Sequence, residues 1–372
     1  MVPIEELLQY LVHKGGTDLH ISAWCRPKIR IDGQLIDSEF EPFEPEECKR
    51  MVYTLLSDDQ ISRFEKNLEL DLSFGVKGLG RFRTNVFLQR GTVAAALRLI
   101  PTEVRAFENL GLPSEICEEL CSRPKGLILV TGATGSGKST SLAALISHLN
   151  RTTRAHVVTI EDPIEFMHES DHCLINQREL GSDTYSFNGA LRSVLRQDPD
   201  CVLVGEMRDV ETIEAALTLA ETGHLTFATL HTNDTIQTIN RIVDVFPAYK
   251  QQQIRTQLSF TLQAVFCQQL LPRAQGRGMA LALEILVVNS AVRSLIRDDK
   301  AHQIYSMLQT GRRFGMQTMN QSLADLYRDG NITYEDAITH SFDPEDLRRN
   351  LSRSGSSLSS LPESGRRQSH HV

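Results

Sequence analysis

No run in the 372-residue sequence approaches the roughly eighteen apolar positions that a membrane-spanning helix needs, so no helical span is expected. Positive charge is in deficit. Lys and Arg number 39 against 47 Asp and Glu, a formal charge of −8, and no Lys/Arg run stands out. Such a balance gives no overall pull toward nucleic acid or an anionic membrane, and direct nucleic-acid binding is not expected. Paired cysteines are missing as well. The seven are scattered at 25, 48, 117, 121, 173, 201 and 267, and Cys117 and Cys121 are one residue too far apart for a CxxC zinc or redox pair. Cys201 lies in an apolar stretch and reads as a packed thiol. The opening MVPIEELL is an acid-bearing amphipathic helix pattern with no signal-peptide character, which sets the expectation of a reduced, cytoplasmic location. Hydrophobic residues at 41% and charged residues at 23% are ordinary for a globular chain, and the length suggests roughly two to three domains.

What is present is a complete phosphate-binding loop. Gly132, Ala133, Thr134, Gly135, Ser136, Gly137, Lys138 and Ser139 meet the pattern G-x-x-x-x-G-K-[ST], and Thr140 follows. Residues 126–131 (GLILVT) ahead of it form a short apolar strand, and 140–149 behind it have helical period. The glycines let backbone N–H groups curl around phosphate oxygens, and the helix N-terminus adds its positive dipole end. Lys138 is expected to reach the β- and γ-phosphates, and Ser139 to ligate Mg²⁺. ATP with Mg²⁺ is therefore the expected ligand.

Residues 1–100 read as a small α+β domain. It has helices at 4–12 and 45–56 and strands at 18–21, 28–32, 70–74, 80–87 and 94–99, with a turn at Asp32-Gly33. A linker covers 101–113. From 114 to 351 the rhythm becomes strand, loop, helix, with apolar strands beginning near 126, 156, 201 and 225, the signature of an α/β domain with a parallel sheet. Residues 250–350 read as helical. The Ser-rich stretch 352–372 reads as a disordered tail.

Three further polar segments fall at strand ends, where such sheets bind ligands. Residues 159–165 (TIEDPIE) put three carboxylates into five positions, with Pro163 setting Asp162 extended; an acidic surface loop is the plain alternative. Residues 201–209 (CVLVGEMRD) run an apolar strand into Glu206 and resemble a Walker B segment in which Gly205 replaces the usual metal-side Asp, so metal contact there is expected to be indirect. His224 and His231 flank the strand at 225–230, and either one could equally be a structural histidine.

Together, TIEDPIE, GEMRD, ETGH and TLHT after this P-loop resemble the secretion and pilus motor ATPases of the type II/type IV secretion superfamily, as does GGTDLH at 15–20. The segments correspond to that family's Walker A, Asp box, Walker B and His box. The resemblance implies a PAS-like N-terminal domain, a RecA-like ATPase domain and a homohexameric ring. It also implies that Glu165 polarises the attacking water and that Glu206 organises Mg²⁺ and water. Lys138, His224 and His231 fall in its catalytic segments. Arg81, Arg83 and Arg98 match arginines that the family supplies from a neighbouring subunit; pairing with surface carboxylates is their plain alternative.

Residues 291–300 (AVRSLIRDDK) and 314–319 (FGMQTM) resemble elements of the family's type IV pilus retraction motors. Val292, Leu295 and Ile296 could equally make the first an ordinary packed amphipathic helix. Assembly and type II secretion motors usually carry longer N-terminal extensions, and many have a CxxC zinc insertion; neither is seen in these residues. The expectation is a retraction motor, cytoplasmic and peripheral at the inner membrane. Its expected partners are a pilus platform protein and a paralogous retraction ATPase. An accessory retraction motor, an assembly or type II secretion ATPase, a DNA translocase and a nucleotide-gated regulatory subunit are the competing readings.

Overall fold

The computed structural model describes residues 2–31, 33–276 and 278–353, with thirteen strands among them. These are β1 (Asp18–Ile21), β2 (Lys28–Ile31), β3 (Gln34–Asp37), β4 (Glu69–Val76), β5 (Gly80–Gln89), β6 (Thr92–Ile100), β7 (Gly126–Thr131), β8 (His156–Glu161), β9 (Leu174–Glu179), β10 (Cys201–Val204), β11 (Leu225–Leu230), β12 (Leu262–Pro272) and β13 (Met279–Val287). The chain divides into two compact units, each discontinuous in sequence. One is Met1–Arg105 with Ile146–Pro199; the other is Ala106–Leu145 with Asp200–Val372.

The first unit is built on an antiparallel six-stranded sheet ordered β3-β2-β1-β6-β5-β4. Helix Ile4–His13 turns Leu7, Leu8 and Leu11 inward, and helix Pro45–Tyr53 turns Met51 and Val52 inward. Both pack onto Leu19, Ile21, Phe82, Val86 and Leu97, alternate residues of the sheet that face one side. The expected strands are present, each within a few residues of its expected ends, and β3 and β9 are additional. The turn expected at Asp32-Gly33 half falls outside the described residues, because only Gly33 is described. In the same unit β8 and β9 pair in parallel, which sets Glu161 opposite Glu179.

One polar feature ties this sheet together. Asp18 is 7% exposed; its Oδ1 accepts from Arg98 Nε at 2.7 Å and its Oδ2 from the Thr17 hydroxyl at 2.7 Å. Burial pushes the Asp18 carboxyl up, but the Thr17 and Arg98 hydrogen bonds and the Arg98 charge together hold it below the usual range. A depressed folded-state value means stability that is complete above the unfolded pKa of roughly 3.9 and is lost as pH falls through the folded one. Asp18→Asn should therefore cost about 1–2 kcal/mol at neutral pH. Thermal melts should show the gap to wild type closing below about pH 4.

The second unit carries five strands in the order β13-β12-β7-β11-β10. β10, β11, β7 and β12 run parallel, and β13 is antiparallel on β12. β7 and β11 are buried at every position, as their unbroken apolar runs demand. The helical pattern expected over 250–350 is wrong for its middle. Helix Ala248–Thr261 passes directly into β12 with no Gly or Pro to mark the change, and β12 and β13 follow. The sheet is thus mixed rather than purely parallel. Helix Ser290–Arg297 covers most of the retraction-type element and buries Val292 and Ile296, with Leu295 only partly covered. The last helix runs Pro344–Arg353, so residues 352–353, expected to open a disordered tail, are helical. The rest of that tail, 354–372, lies outside the described residues.

Candidate active site

In the second unit β7 delivers the chain into the loop at Gly132, whose φ of +140° is open only to glycine. A Cβ there would stand 2.5 Å from both the Gln268 carbonyl oxygen and Ser136 Oγ, so the loop lies hard against β12. Gly137, at φ +90°, turns the chain into helix Lys138–Thr152. Ala133, Thr134 and Gly135 are exposed, while Ser139 and Thr140 occupy the first helical turn, half-buried. The Lys138 ammonium donates to the carbonyls of Gly132 at 2.8 Å and Ala133 at 3.0 Å, which places a positive charge over the loop. Among the described residues Ser136 Oγ is buried with no hydrogen-bond partner. A glycine-dependent cradle, a helix N-terminus, an ammonium and an unsatisfied hydroxyl fit a polyphosphate. Beside it a cavity of about 340 Å³ is lined by Ala133–Ser136, Gln268–Leu270 and 339–342.

Glu206 follows β10. Thr229 donates its hydroxyl to the Gly205 carbonyl and Met207 N–H bonds the Thr229 carbonyl at 3.0 Å, clamping the end of β10 to β11. The Glu206 carboxylate is gripped on both oxygens: His231 Nε2 lies 3.1 Å from Oε1 and Arg208 Nε 2.8 Å from Oε2. The segments resembling Walker B and the His box thus meet through Glu206 and His231. His224 does not join them. Its Nδ1 faces the Leu219 carbonyl and the Thr222 hydroxyl, each at 3.1 Å, closing the end of helix Val210–Glu221. Asp209 is the N-cap of that helix, its side chain accepting from Thr212 N–H at 2.8 Å. Among the described residues no group of three or more His, Cys, Asp and Glu could hold a metal. Mg²⁺ makes no such demand, since it takes one or two protein ligands and shares the rest among phosphates and water.

The first unit carries Glu165 and the three arginines. The Asp162–Pro163 bond is cis, where the sequence pattern had suggested only an extended Asp162. Glu161 is held by the Thr159 hydroxyl at 2.6 Å and by Gln177 at 3.2 Å, and burial pushes its carboxyl up. Ile164 is buried and Glu165 exposed. On β5, Arg81 and Arg83 share a face, and Arg83 stands directly across from Arg98 on β6. Arg98 is bonded to Asp18 as described, and Arg81 Nη2 lies 3.6 Å from Glu179 Oε2. Neither Glu179 nor Arg208 was singled out from sequence. Glu179 had a signal, a carboxylate in phase with Ile175 and Gln177 on a strand; Arg208 had only its proximity to Glu206.

An α/β unit with a P-loop between a buried parallel strand and a helix, and a paired Glu–His beside the same sheet, defines a nucleotide-binding protein of the P-loop class. The pattern of the Type II/IV secretion system protein family matches residues 3–350, and the chain belongs to that family. It is 48% identical over 344 residues to the type IV pilus retraction ATPase PilT of Pseudomonas aeruginosa, covering 92% of this chain and 99% of that one. A twitching motility protein of Neisseria gonorrhoeae is 50% identical over 315 residues, covering 85% of this chain and 84% of the relative. The crystal structure of the pilus retraction motor PilT with bound ADP superposes with a TM-score of 0.88 at 50% identity, covering 94% of this chain and all of that one. No helix among the described residues is long and apolar enough to cross a membrane.

Proposed function

We propose that this protein is an ATP-hydrolysing motor that drives retraction of type IV pili and thereby twitching motility. The observation that carries the reading is likeness to PilT along nearly the whole of both chains, with an intact loop at 132–139. ATP would seat its phosphates in the cradle of residues 132–140, with Lys138 on the β- and γ-phosphates. Ser139 and Glu206 would hold Mg²⁺, Glu206 through water, and the ion would neutralise charge building on the phosphates. His231 and Arg208 fix the Glu206 carboxylate in one orientation. Glu165 would orient the attacking water. In phosphoryl transfer this positioning, together with charge stabilisation, makes up most of the catalysis.

The working form is a homohexamer in which a PAS-like first domain of one subunit faces the RecA-like ATPase domain of the next, with residues 101–113 as hinge. Arg83 and Arg98 would sense the γ-phosphate bound by the neighbour. ATP affinity then becomes differential stability of two domain arrangements, the only way a ligand can drive such a change. Successive closures would turn an inner-membrane platform protein and withdraw pilin from the fibre base, on the cytoplasmic side and with no nucleic acid involved. A paralogous retraction ATPase is a second partner.

The test is a pilus count by electron microscopy with a twitching assay in cells lacking the gene. Abundant pili without motility are expected. Bald cells would make this an assembly motor; piliated cells that still twitch, more weakly, would make it an accessory one.

A further inference from the structure

The loop that carries Glu165 is held by side chains rather than by a strand ladder. We propose that Glu179 is a positioning residue for Glu165, kept in place by Arg81 of the same chain; this rests on the hydrolase reading above.

Glu179 ends β9, and its side chain is 5% exposed. Its Oε2 accepts from the backbone N–H of Ile164 at 3.2 Å and lies 3.6 Å from Arg81 Nη2, while its Oε1 accepts from the Ser182 hydroxyl at 3.3 Å. The backbone around it is locked too. Its N–H donates to Asp183 Oδ2 at 2.8 Å, and its carbonyl accepts from Asp183 N–H at 2.8 Å. Directly opposite in the β8–β9 register, Glu161 accepts from the Gln177 side chain at 3.2 Å. Glu179 therefore grips the amide just before Glu165, and Gln177 Nε2 donates to the Phe166 carbonyl just after it at 2.8 Å. The direction in which Glu165 leaves the backbone is set by that double grip.

A carboxylate this deeply buried needs a positive partner, since an uncompensated buried charge is strongly destabilising. Arg81 supplies it. Its own side chain is 23% exposed, and among the described residues its buried Nε has no hydrogen-bond partner, so the guanidinium leans on Glu179 through Nη2. Arg81 thus acts within its own chain, through Glu179. The role of reaching a neighbour's phosphate is left to Arg83 and Arg98.

The experiment compares ATP hydrolysis by the full chain with E179Q, R81Q and R81Q/E179Q. E179Q keeps an acceptor for Ile164 N–H but removes the charge that Arg81 answers. Its kcat should fall about 10- to 100-fold, with KM and the Kd of a fluorescent ATP analogue within about twofold of wild type, the pattern of an interaction felt only in the transition state. Because Arg81 and Glu179 act as one unit, the double variant should lose no more than about threefold beyond E179Q alone. R81K, which keeps a cation for Glu179, should turn over about fivefold faster than R81Q, and this comparison decides the matter if E179Q does not fold. Hydrogen exchange across 161–167 should quicken in both E179Q and R81Q. Losses that multiply in the double variant, or R81K no better than R81Q, would mean that Arg81 works independently of Glu179. A hydrolysing wild type matched by E179Q overturns the proposal alone. A wild type that binds ATP and never releases phosphate overturns the hydrolase reading and the proposal with it.

Discussion

Replacing Lys138 with alanine should lower kcat/KM for ATP hydrolysis by at least about a thousandfold, roughly 4 kcal/mol of transition-state stabilisation. The ammonium sits over the loop through its bonds to the Gly132 and Ala133 carbonyls, so it is already placed where phosphate charge would collect. Catalysis of phosphoryl transfer rests on such preplaced charge, and alanine offers neither the charge nor the reach. The loop backbone should survive, because Gly132 and Gly137 take their positive φ from the chain itself. Nucleotide binding should therefore weaken less than turnover does. Phosphate release and equilibrium binding on the same preparation measure the two losses. Cells carrying only the variant should be piliated and immotile. A variant that hydrolyses within tenfold of wild type would sever the loop from the activity.

Local signals carried most of the site, and distance in sequence hid the rest. The P-loop was legible because strand, glycines, lysine and helix are contiguous, and β7 spans the residues expected of it. β12 was not, because a helix rich in glutamine enters it without a breaker, and Gln263, Gln268 and Gln269 interrupt its apolar run. His224 and His231 looked alike in sequence, one at each end of the same strand. Only the fold separates them, with His231 on a carboxylate and His224 on a helix-end carbonyl. The bonds from Arg98 to Asp18 and from Arg81 to Glu179 join residues some eighty to a hundred positions apart, through sheet register and packing that no local pattern announces. The family resemblance made all three arginines look alike. Their partners show three situations: Arg98 on a buried aspartate, Arg81 on a buried glutamate, and Arg83 on an exposed face across from Arg98.

Glu206→Gln should separate binding from turnover. A carboxylate offers an acceptor on each oxygen, and here each one meets a donor, His231 Nε2 on one side and Arg208 Nε on the other. Glutamine has the same shape but one acceptor and one N–H₂ group. With its oxygen toward Arg208 Nε, its N–H₂ faces His231 Nε2, and that contact survives only if the imidazole carries its proton on Nδ1 and accepts at Nε2. The variant therefore loses the negative charge that would organise Mg²⁺ and water, and it either changes the His231 tautomer or opens one of the two contacts. The phosphate cradle, built from the loop at 132–140, is untouched. ATP affinity should stay within about threefold of wild type, while kcat falls about 10²- to 10⁴-fold, the range for removing a positioned acid–base group. His231→Ala should cost less, about tenfold, because Arg208 still holds Glu206. The double variant should fall short of the product of the two losses, since both substitutions act on one contact. Single-turnover measurement with prebound ATP gives the chemical step directly. If that step is unchanged in E206Q, the paired Glu–His contact is structural, and the water-organising role passes to Glu165.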